Sequence, residues 1–442
     1  MTTHDALARP AGKPYPPAGY AWFVVVCLQF AYAIALVDRQ ILALLVEPIK
    51  ADMQLSDTQF SLLAGIAFAL FYGVMGLVLG KIADTRNRRN MIIVGMLVWS
   101  VATIGCGLAR NYAELFAARV LVGAGEAALS PAAYSMIADY FSKETRSRPT
   151  AFYTMGAFTG SGVALLFGAA AVAYASQSDT MILPFIGEVR NWQTVFIAVG
   201  IPGIVMAALM LLVREPERRE VAREGAPVAD LRAFLSRRWR LLALLIAAFA
   251  LNGVVYFGTN TWMPAVFMRK FAWRAQDIGF AMGLLQLIFG SAGILASGWW
   301  VTRASVRGSG RVLATTPMTS MYLMAALALV IGFAPSPTLV VAALALFLFL
   351  IGTVSAQSVV AIYQVTPNQF RGQVIAAYLL TGTLLGLGFG ATLIALITDY
   401  VFADDMMVGA SCAIVFCIAA LIAAECLRRA AGRIPDADET IT

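Results

Sequence analysis

Twelve stretches of this chain stay mainly apolar, separated by short polar segments: 20–46, 58–80, 90–109, 112–139, 149–174, 192–213, 240–268, 276–300, 312–333, 338–363, 372–398 and 406–427. About 20 such residues cross a membrane as a helix, because each adds ~1.5 Å to a path through ~30 Å of hydrocarbon. The pattern predicts an all-α membrane protein with twelve transmembrane helices. Only the gap after the sixth stretch is long and polar, so residues 214–239 read as a linker between two six-helix bundles, 20–213 and 240–427. Residues 1–19, with Pro10, Pro14, Pro16 and Pro17, and residues 428–442 read as polar tails. The first apolar stretch is too long and too punctuated by polar residues for a cleaved signal sequence, and is expected to stay as the first helix.

Composition agrees. Hydrophobic residues make up 60% of the 442 and charged residues 13%, against roughly half and one quarter in a soluble chain. The net charge of +7 raises the question of nucleic acid until the basic residues are located. Of the 32 Lys and Arg, 24 fall in the tails, the linker and the loops on the side of the N-terminus, and six in the opposite loops. By the positive-inside rule both termini are cytoplasmic, so the basicity is a topology signal and no nucleic acid is called for. In the second half of the linker, Val228, Leu231, Phe234, Leu235 and Trp239 recur at helical spacing among arginines, which predicts a helix lying along the membrane surface.

The chemistry of soluble enzymes is missing. All five cysteines stand in apolar stretches without paired spacing, and the single histidine, His4, is in the N-terminal tail. This argues against a metal site or disulfide framework, calls for no cofactor, and leaves no intramembrane histidine for a hydrolase. ATP drive is excluded because Gly80-Lys81 is followed by Ile82 and no Gly-x-x-x-x-Gly-Lys-Ser/Thr loop exists.

The halves resemble each other, as expected of a transporter built from repeated bundles. Asp57-Thr58-Gln59-Phe60 precedes the second helix and Asp277-Ile278-Gly279-Phe280 the eighth. Gly80-Lys81-Ile82-Ala83-Asp84 closes helix two where Gly298-Trp299-Trp300-Val301-Thr302-Arg303 closes helix eight, and Arg146 after helix four answers Arg371 after helix ten. Gly80-x-x-x-Asp84-x-x-Asn87-Arg88-Arg89 also resembles the loop signature of the major facilitator superfamily, Gly-x-x-x-Asp-Arg-x-Gly-Arg-Arg/Lys. Thr85 and Asn87 replace the usual Arg and Gly. Arg119-x-x-x-Gly123-x-Gly125-Glu126-Ala127-x-x-Ser130 with Ile137-Ala138-Asp139, Trp262-x-Pro264, and Gly386-x-Gly388-x-Gly390 leading to Asp399 are similar to its spinster branch. The resemblance covers all twelve helices. It implies alternating access, no enzymatic activity, and a role for Gly80, Asp84, Arg88 and Arg89 as a conformational loop.

Charge inside a spanning helix costs about 2.5–3.5 kcal/mol on insertion scales and marks function by default. Asp38 and Arg39 lie in helix one and Arg119 and Glu126 in helix four, while the second bundle has none well inside a span. Seven residues separate Arg119 from Glu126, which puts them two turns apart on one face. From the rise per residue, Asp38 and Arg119 lie level, ~13 and ~12 Å from the outer ends of their helices, with Glu126 ~10 Å deeper. If the two helices face a common cavity, Asp38 is expected to meet Arg119. Its neighbour Arg39 points about 100° away and cannot satisfy it. Ion pairs that merely staple two helices would use the same residues, yet apolar side chains do that at lower cost. A low-dielectric cavity favours a protonated carboxyl and a nearby guanidinium favours the ionised one, while arginine itself does not titrate. The resemblance implies that Asp38, Glu126 and Arg119 couple transport to protons, with Arg39 as a further participant.

The resemblance also implies an amphipathic lipid as cargo, a lysophospholipid or sphingosine-phosphate-like molecule. Arg39 or Arg119, with Glu126 beside them, would meet its phosphate. Tyr153, Tyr256, Phe257, Trp262, Tyr363 and Tyr378 are aromatic candidates for a tail slot, and Asn252, Asn260, Gln286, Gln357 and Gln364 for uncharged head groups. The alternative is a proton-coupled transporter of a small organic anion such as a sugar acid or aromatic acid, because related bacterial branches share the pattern around Asp38-Arg39. The expected setting is a monomer in a bacterial inner (plasma) membrane whose partners are the bilayer, the cargo and protons, with no metal.

Overall fold

Polar residues at the ends of the apolar stretches decide where helices begin. In the computed structural model Ser56 and Gln59 cap each other's backbone N–H groups at 3.0 and 3.2 Å. Asn87 accepts from the Asn90 N–H at 2.8 Å and Asn111 from the Glu114 N–H at 3.0 Å. Each cap satisfies a donor that the first helical turn leaves without an intrahelical partner. The structure describes residues 15–83, 85–142, 145–177, 180–183, 187–218, 228–306, 312–367 and 370–433.

Twelve helices among these residues are long and apolar enough to cross a membrane: α1 (Ala18–Leu44), α2 (Asp57–Ala83), α3 (Arg88–Leu108), α4 (Tyr112–Tyr140), α5 (Arg148–Ala175), α6 (Asn191–Leu212), α7 (Phe234–Phe271), α8 (Ala275–Trp300), α9 (Leu313–Phe333), α10 (Pro337–Val365), α11 (Gln373–Phe402) and α12 (Asp405–Ala431). The chain is an integral membrane protein. The helix expected in the second half of the linker is present and runs without interruption into α7, as one helix over Val228–Phe271. No Gly or Pro stands between Val228 and Asn252 to stop it. A short antiparallel hairpin, β1 (Thr180–Leu183) and β2 (Gly187–Arg190), follows α5.

In the first half α1 packs on α5 and α6, α2 on α4, and α3 on α4 and α6. Six helices later the same scheme returns: α7 packs on α11 and α12, α8 on α10, and α9 on α10 and α12. The halves meet along α1–α7, α2–α11 and α5–α8, a set that maps onto itself when the halves are exchanged. At α2–α11 the backbones nearly touch, since a Cβ on Gly65 would lie 2.5 Å from the Leu387 carbonyl oxygen. Only glycine admits that approach. π-helical turns interrupt the interface helices at Leu62–Ile66, Gln286–Gly290 and Leu384–Gly390, a distortion frequent at functional sites.

One further break matters. α4 stops being helical after Glu126 and restarts at Leu129. Pro131 lies four residues beyond Ala127 and has no N–H to give its carbonyl, which weakens the helix at that turn. Below, the end of the molecule where α1 begins and α12 finishes is called the terminal face, and the other end the opposite face.

Candidate functional site

The site is centred on α1 and α4. Arg39 Nε and Nη2 donate to Glu126 Oε2 at 2.8 and 2.5 Å, and the Glu126 side chain is fully buried. The Arg39 guanidinium carbon lies 4.5 Å from the centre of the Phe68 ring and 4.9 Å from that of Tyr72, and that of Arg119 lies 5.5 Å from Phe68. One aromatic ring of α2 therefore faces two guanidinium groups, an attraction that grows when water is excluded.

The expected meeting of Asp38 with Arg119 takes a different form. Arg119 Nη1 points to the backbone carbonyl of Asp38, and its Nε to that of Leu63, each at 3.5 Å. With Arg39 turned to Glu126, the Asp38 side chain lies about 100° round the helix, beside Thr103 of α3. Asp38 is 1% exposed. Among the described residues, its Oδ1 and the Oε1 of Glu126 have no hydrogen-bond partner. Arg119 is thus a buried cation with two long carbonyl contacts and, among the described residues, no carboxylate hydrogen-bonded to it.

A cavity of about 130 Å³ lies where the halves meet. Arg39, Arg119, Gln40, Tyr32 and Phe68 line it from the first half, and Tyr256, Phe257, Asn260 and Thr261 from the second. Gln40 ties the two walls together, its Nε2 donating to Ser161 Oγ of α5 and to Asn260 Oδ1 of α7, the latter at 3.1 Å. Asp38 and Glu126 are not among the lining residues, and Glu126 is connected to the cavity through Arg39.

The other residues singled out from sequence divide sharply. Tyr256 lines the cavity, and its hydroxyl accepts from Gln286 Nε2 at 3.2 Å. Tyr153 is buried, stacked on Tyr32 at 5.3 Å and edge-on to Tyr134 at 5.2 Å. Trp262 donates to the Ala391 carbonyl at 2.9 Å and meets Phe60 of α2 edge-on at 6.2 Å, so it packs against both halves. Tyr378 donates to Ser358 Oγ at 3.0 Å and Asn252 Nδ2 to Ser355 Oγ at 2.9 Å. Gln357 is buried with neither amide atom bonded, while Tyr363 and Gln364 are exposed. Of these residues only Tyr256 lines the cavity; Tyr153, Trp262, Tyr378, Asn252, Gln357, Tyr363 and Gln364 do not.

At the terminal face Arg88 is wholly buried. It pairs with Asp139 at the end of α4, donates from Nε to Glu215 Oε1 at 2.7 Å and from Nη2 to the Pro216 carbonyl at 2.9 Å. The Arg89 N–H donates to Glu215 Oε2 at 2.8 Å. The loop motif thereby grips the start of the linker. Gly80 has open space where a side chain would stand, and Asp84 lies outside the described residues.

Sequence reasoning missed a second ion cluster, at the opposite face. Arg269 of α7 donates to Glu47 at 2.8 Å and, through both terminal nitrogens, to Asp57 at 2.6 Å. Lys50 pairs with Asp57 and, at 2.7 Å, with Asp405. Asp399 accepts from the Thr58 N–H at 2.7 Å. The one signal available was the repeated Asp-x-x-Phe at Asp57.

An MFS-type efflux pump of Mycolicibacterium smegmatis is 26% identical over 397 residues, 87% of this chain and 86% of that one. A probable L-galactonate transporter of Escherichia coli is 26% identical over 296 residues, covering 64% of this chain and 61% of that relative, less than two thirds of its length. The solved structure of a bacterial homologue of the human lysosomal transporter Spinster, inward-facing and occupied, superposes with a TM-score of 0.77 over 94% of this chain and 96% of that one, at 22% identity, which is a likeness of fold. The sequence profile of the Major Facilitator Superfamily matches residues 28–391, from α1 into α11, and together with the twice-used six-helix arrangement this establishes that the chain belongs to that superfamily.

Proposed function

We propose that this protein is a proton-coupled secondary active transporter of an organic anion, working by alternating access, with the acid group of the cargo held between Arg39 and Arg119. The observation that carries this reading is Arg119, a buried guanidinium beside Arg39 on the cavity wall with no carboxylate hydrogen-bonded to it. A planar five-donor cation in such a place is suited to a carboxylate or phosphate. An anion arriving there competes with Glu126 for Arg39. A carboxylate that loses its cation inside an apolar bundle is expensive to keep charged, so Glu126 takes a proton when the cargo displaces it. Cargo and proton then cross together, and Arg39 recaptures Glu126 once both have left.

The cavity supports a small hydroxylated acid, such as a sugar acid, as the first reading of the cargo. At ~30 Å³ per water it has room for about four waters, and Gln40, Asn260 and Thr261 offer neutral partners for hydroxyl groups. The name of the L-galactonate relative points the same way. A lysolipid is the second reading, supported by the aromatic lining of Tyr32, Phe68, Tyr256 and Phe257, and it requires the cavity to widen at the terminal face. The basic loops support placing that face in the cytoplasm. Flux of labelled sugar acid and labelled lysolipid into vesicles, with and without a pH gradient, separates the readings. Gradient-stimulated movement of the sugar acid is expected; movement of lysolipid alone transfers the assignment, and indifference of both to the gradient overturns proton coupling.

A further inference from the structure

A groove on the membrane-facing side of the first half has no part in the transport reading. Its volume is about 530 Å³, and it runs between α2 and α4 across α3. Leu79 and Ile82 of α2, Val94 and Val98 of α3, and Ala124 of α4 make its apolar walls. Val94 is 60% exposed, so in the membrane this surface meets acyl chains. From Asn87 to Val98 the groove follows eleven residues of rise, about 16 Å, close to one leaflet of a ~30 Å hydrocarbon layer.

Among the described residues, the side chains at the mouth of the groove, at the terminal face, offer donors. The Asn87 Oδ1 is taken up by the Asn90 N–H, and the Asn90 Oδ1 by Arg89, so both amides are left with their NH₂ groups. Arg218 Nη2 donates to the carbonyls of Ala83 and Arg86 at 2.7 and 2.6 Å, which fixes the loop through its backbone. The guanidinium of Arg86 itself forms no hydrogen bond or ion pair among the described residues, and the residue is exposed at the groove's edge. An unpaired cation and two amide donors above a one-leaflet apolar slot are complementary to an anionic headgroup with an acyl chain beneath it.

We propose that this groove is a binding site for an anionic phospholipid of the leaflet at the terminal face, its phosphate on Arg86 and one chain along Val94 and Val98. The floor of the slot contains Gly125, the residue before Glu126, so a bound lipid rests directly behind the central ion pair.

The test is native mass spectrometry of the purified full-length protein titrated with phosphatidylglycerol, phosphatidylcholine or glycerol phosphate. Phosphatidylglycerol is expected to bind wild type at least tenfold more tightly than phosphatidylcholine. Arg86→Ala is expected to remove that preference and Arg86→Lys to keep most of it. Ala124→Leu, which fills the slot, is expected to weaken binding of either lipid, with its melting temperature in lipid-free detergent showing that it folds. Equal binding of the two lipids by wild type, unchanged phosphatidylglycerol binding in Arg86→Ala, or full displacement of the lipid by glycerol phosphate would each overturn the proposal. The readout is binding, so its failure is independent of any failure of the transport reading.

Discussion

Two ion clusters in this molecule, one buried and one buried at Asp57 but partly exposed at Glu47 and exposed at Asp405, use the same kinds of side chain and stand in opposite relations to its halves. The central pair joins Arg39 of α1 to Glu126 of α4, so both partners belong to the first half and rocking of the halves does not by itself separate them. The cluster at the opposite face joins Arg269 of α7 to Glu47 and Asp57, and Lys50 to Asp405, so it spans the interface and has to part before the cavity opens at that end. In the proposed cycle the contact within one half responds to protons and cargo. A contact between two rigid bodies responds to their relative position.

The largest effect is expected from breaking the central pair on one side only. Arg39→Ala leaves a buried carboxylate without its cation, which costs about 3–5 kcal/mol. Thermal unfolding of the purified variant is expected well below wild type at neutral pH, with the deficit shrinking on acidification, because a proton on Glu126 removes the stranded charge. A deficit that does not change with pH would mean that lost packing of Arg39 on Phe68 and Tyr72 is the whole effect. Glu126→Gln keeps a hydrogen-bonding partner for Arg39 and removes the titratable group. That variant, and Asp38→Asn, are expected to fold and to lose the response of flux to a pH gradient; a wild-type response in both ends the coupling proposal.

Breaking the other cluster is expected to change shape without changing coupling. Arg269→Ala removes charge-assisted hydrogen bonds worth about 1.5–3 kcal/mol each, and every 1.4 kcal/mol is a tenfold change in an equilibrium. An opening at the opposite face at least ten times more populated is expected, read by labelling a cysteine placed at Thr261, on the cavity wall, in a cysteine-free background with an impermeant reagent from that side. The same experiment on Glu126→Gln is expected to show no such rise. If Arg269→Ala labels like wild type, the cluster is no gate.

The spans and the two bundles were legible in the sequence because a hydrocarbon layer imposes one length and one chemistry on whatever crosses it. The four intramembrane charges were legible for the same reason. Their pairing was not. Rise per residue placed Asp38 level with Arg119, but the choice of partner depends on rotation about α1, and on a break in α4 at Ala127 and Ala128 that a straight helix cannot represent. The second cluster was hidden for a different reason. Glu47, Lys50, Asp57, Arg269 and Asp405 stand at or near span ends, where charges are common, and only the meeting of the two halves at that face joins them. The helix after Val228 was legible in its spacing, whereas its continuity with α7 follows from the lack of a helix breaker before Asn252.

The smallest expected effect tests which wall touches the cargo. Asn260 faces the cavity from the half without intramembrane charges and shares Gln40 with Ser161, so Asn260→Ala leaves Gln40 one partner and removes a neutral contact worth about 0.5–1.5 kcal/mol. A KM for a hydroxylated acid raised some two- to tenfold is expected, with the response to the pH gradient intact, because no member of the central cluster bonds to Asn260. A deoxy analogue lacking the hydroxyl that Asn260 meets is expected to suffer a similar loss in wild type and almost none in the variant, since the contact is then already absent. If the variant penalises every analogue equally, Asn260 acts by holding Gln40 in place, and the second half contributes position where the first contributes charge.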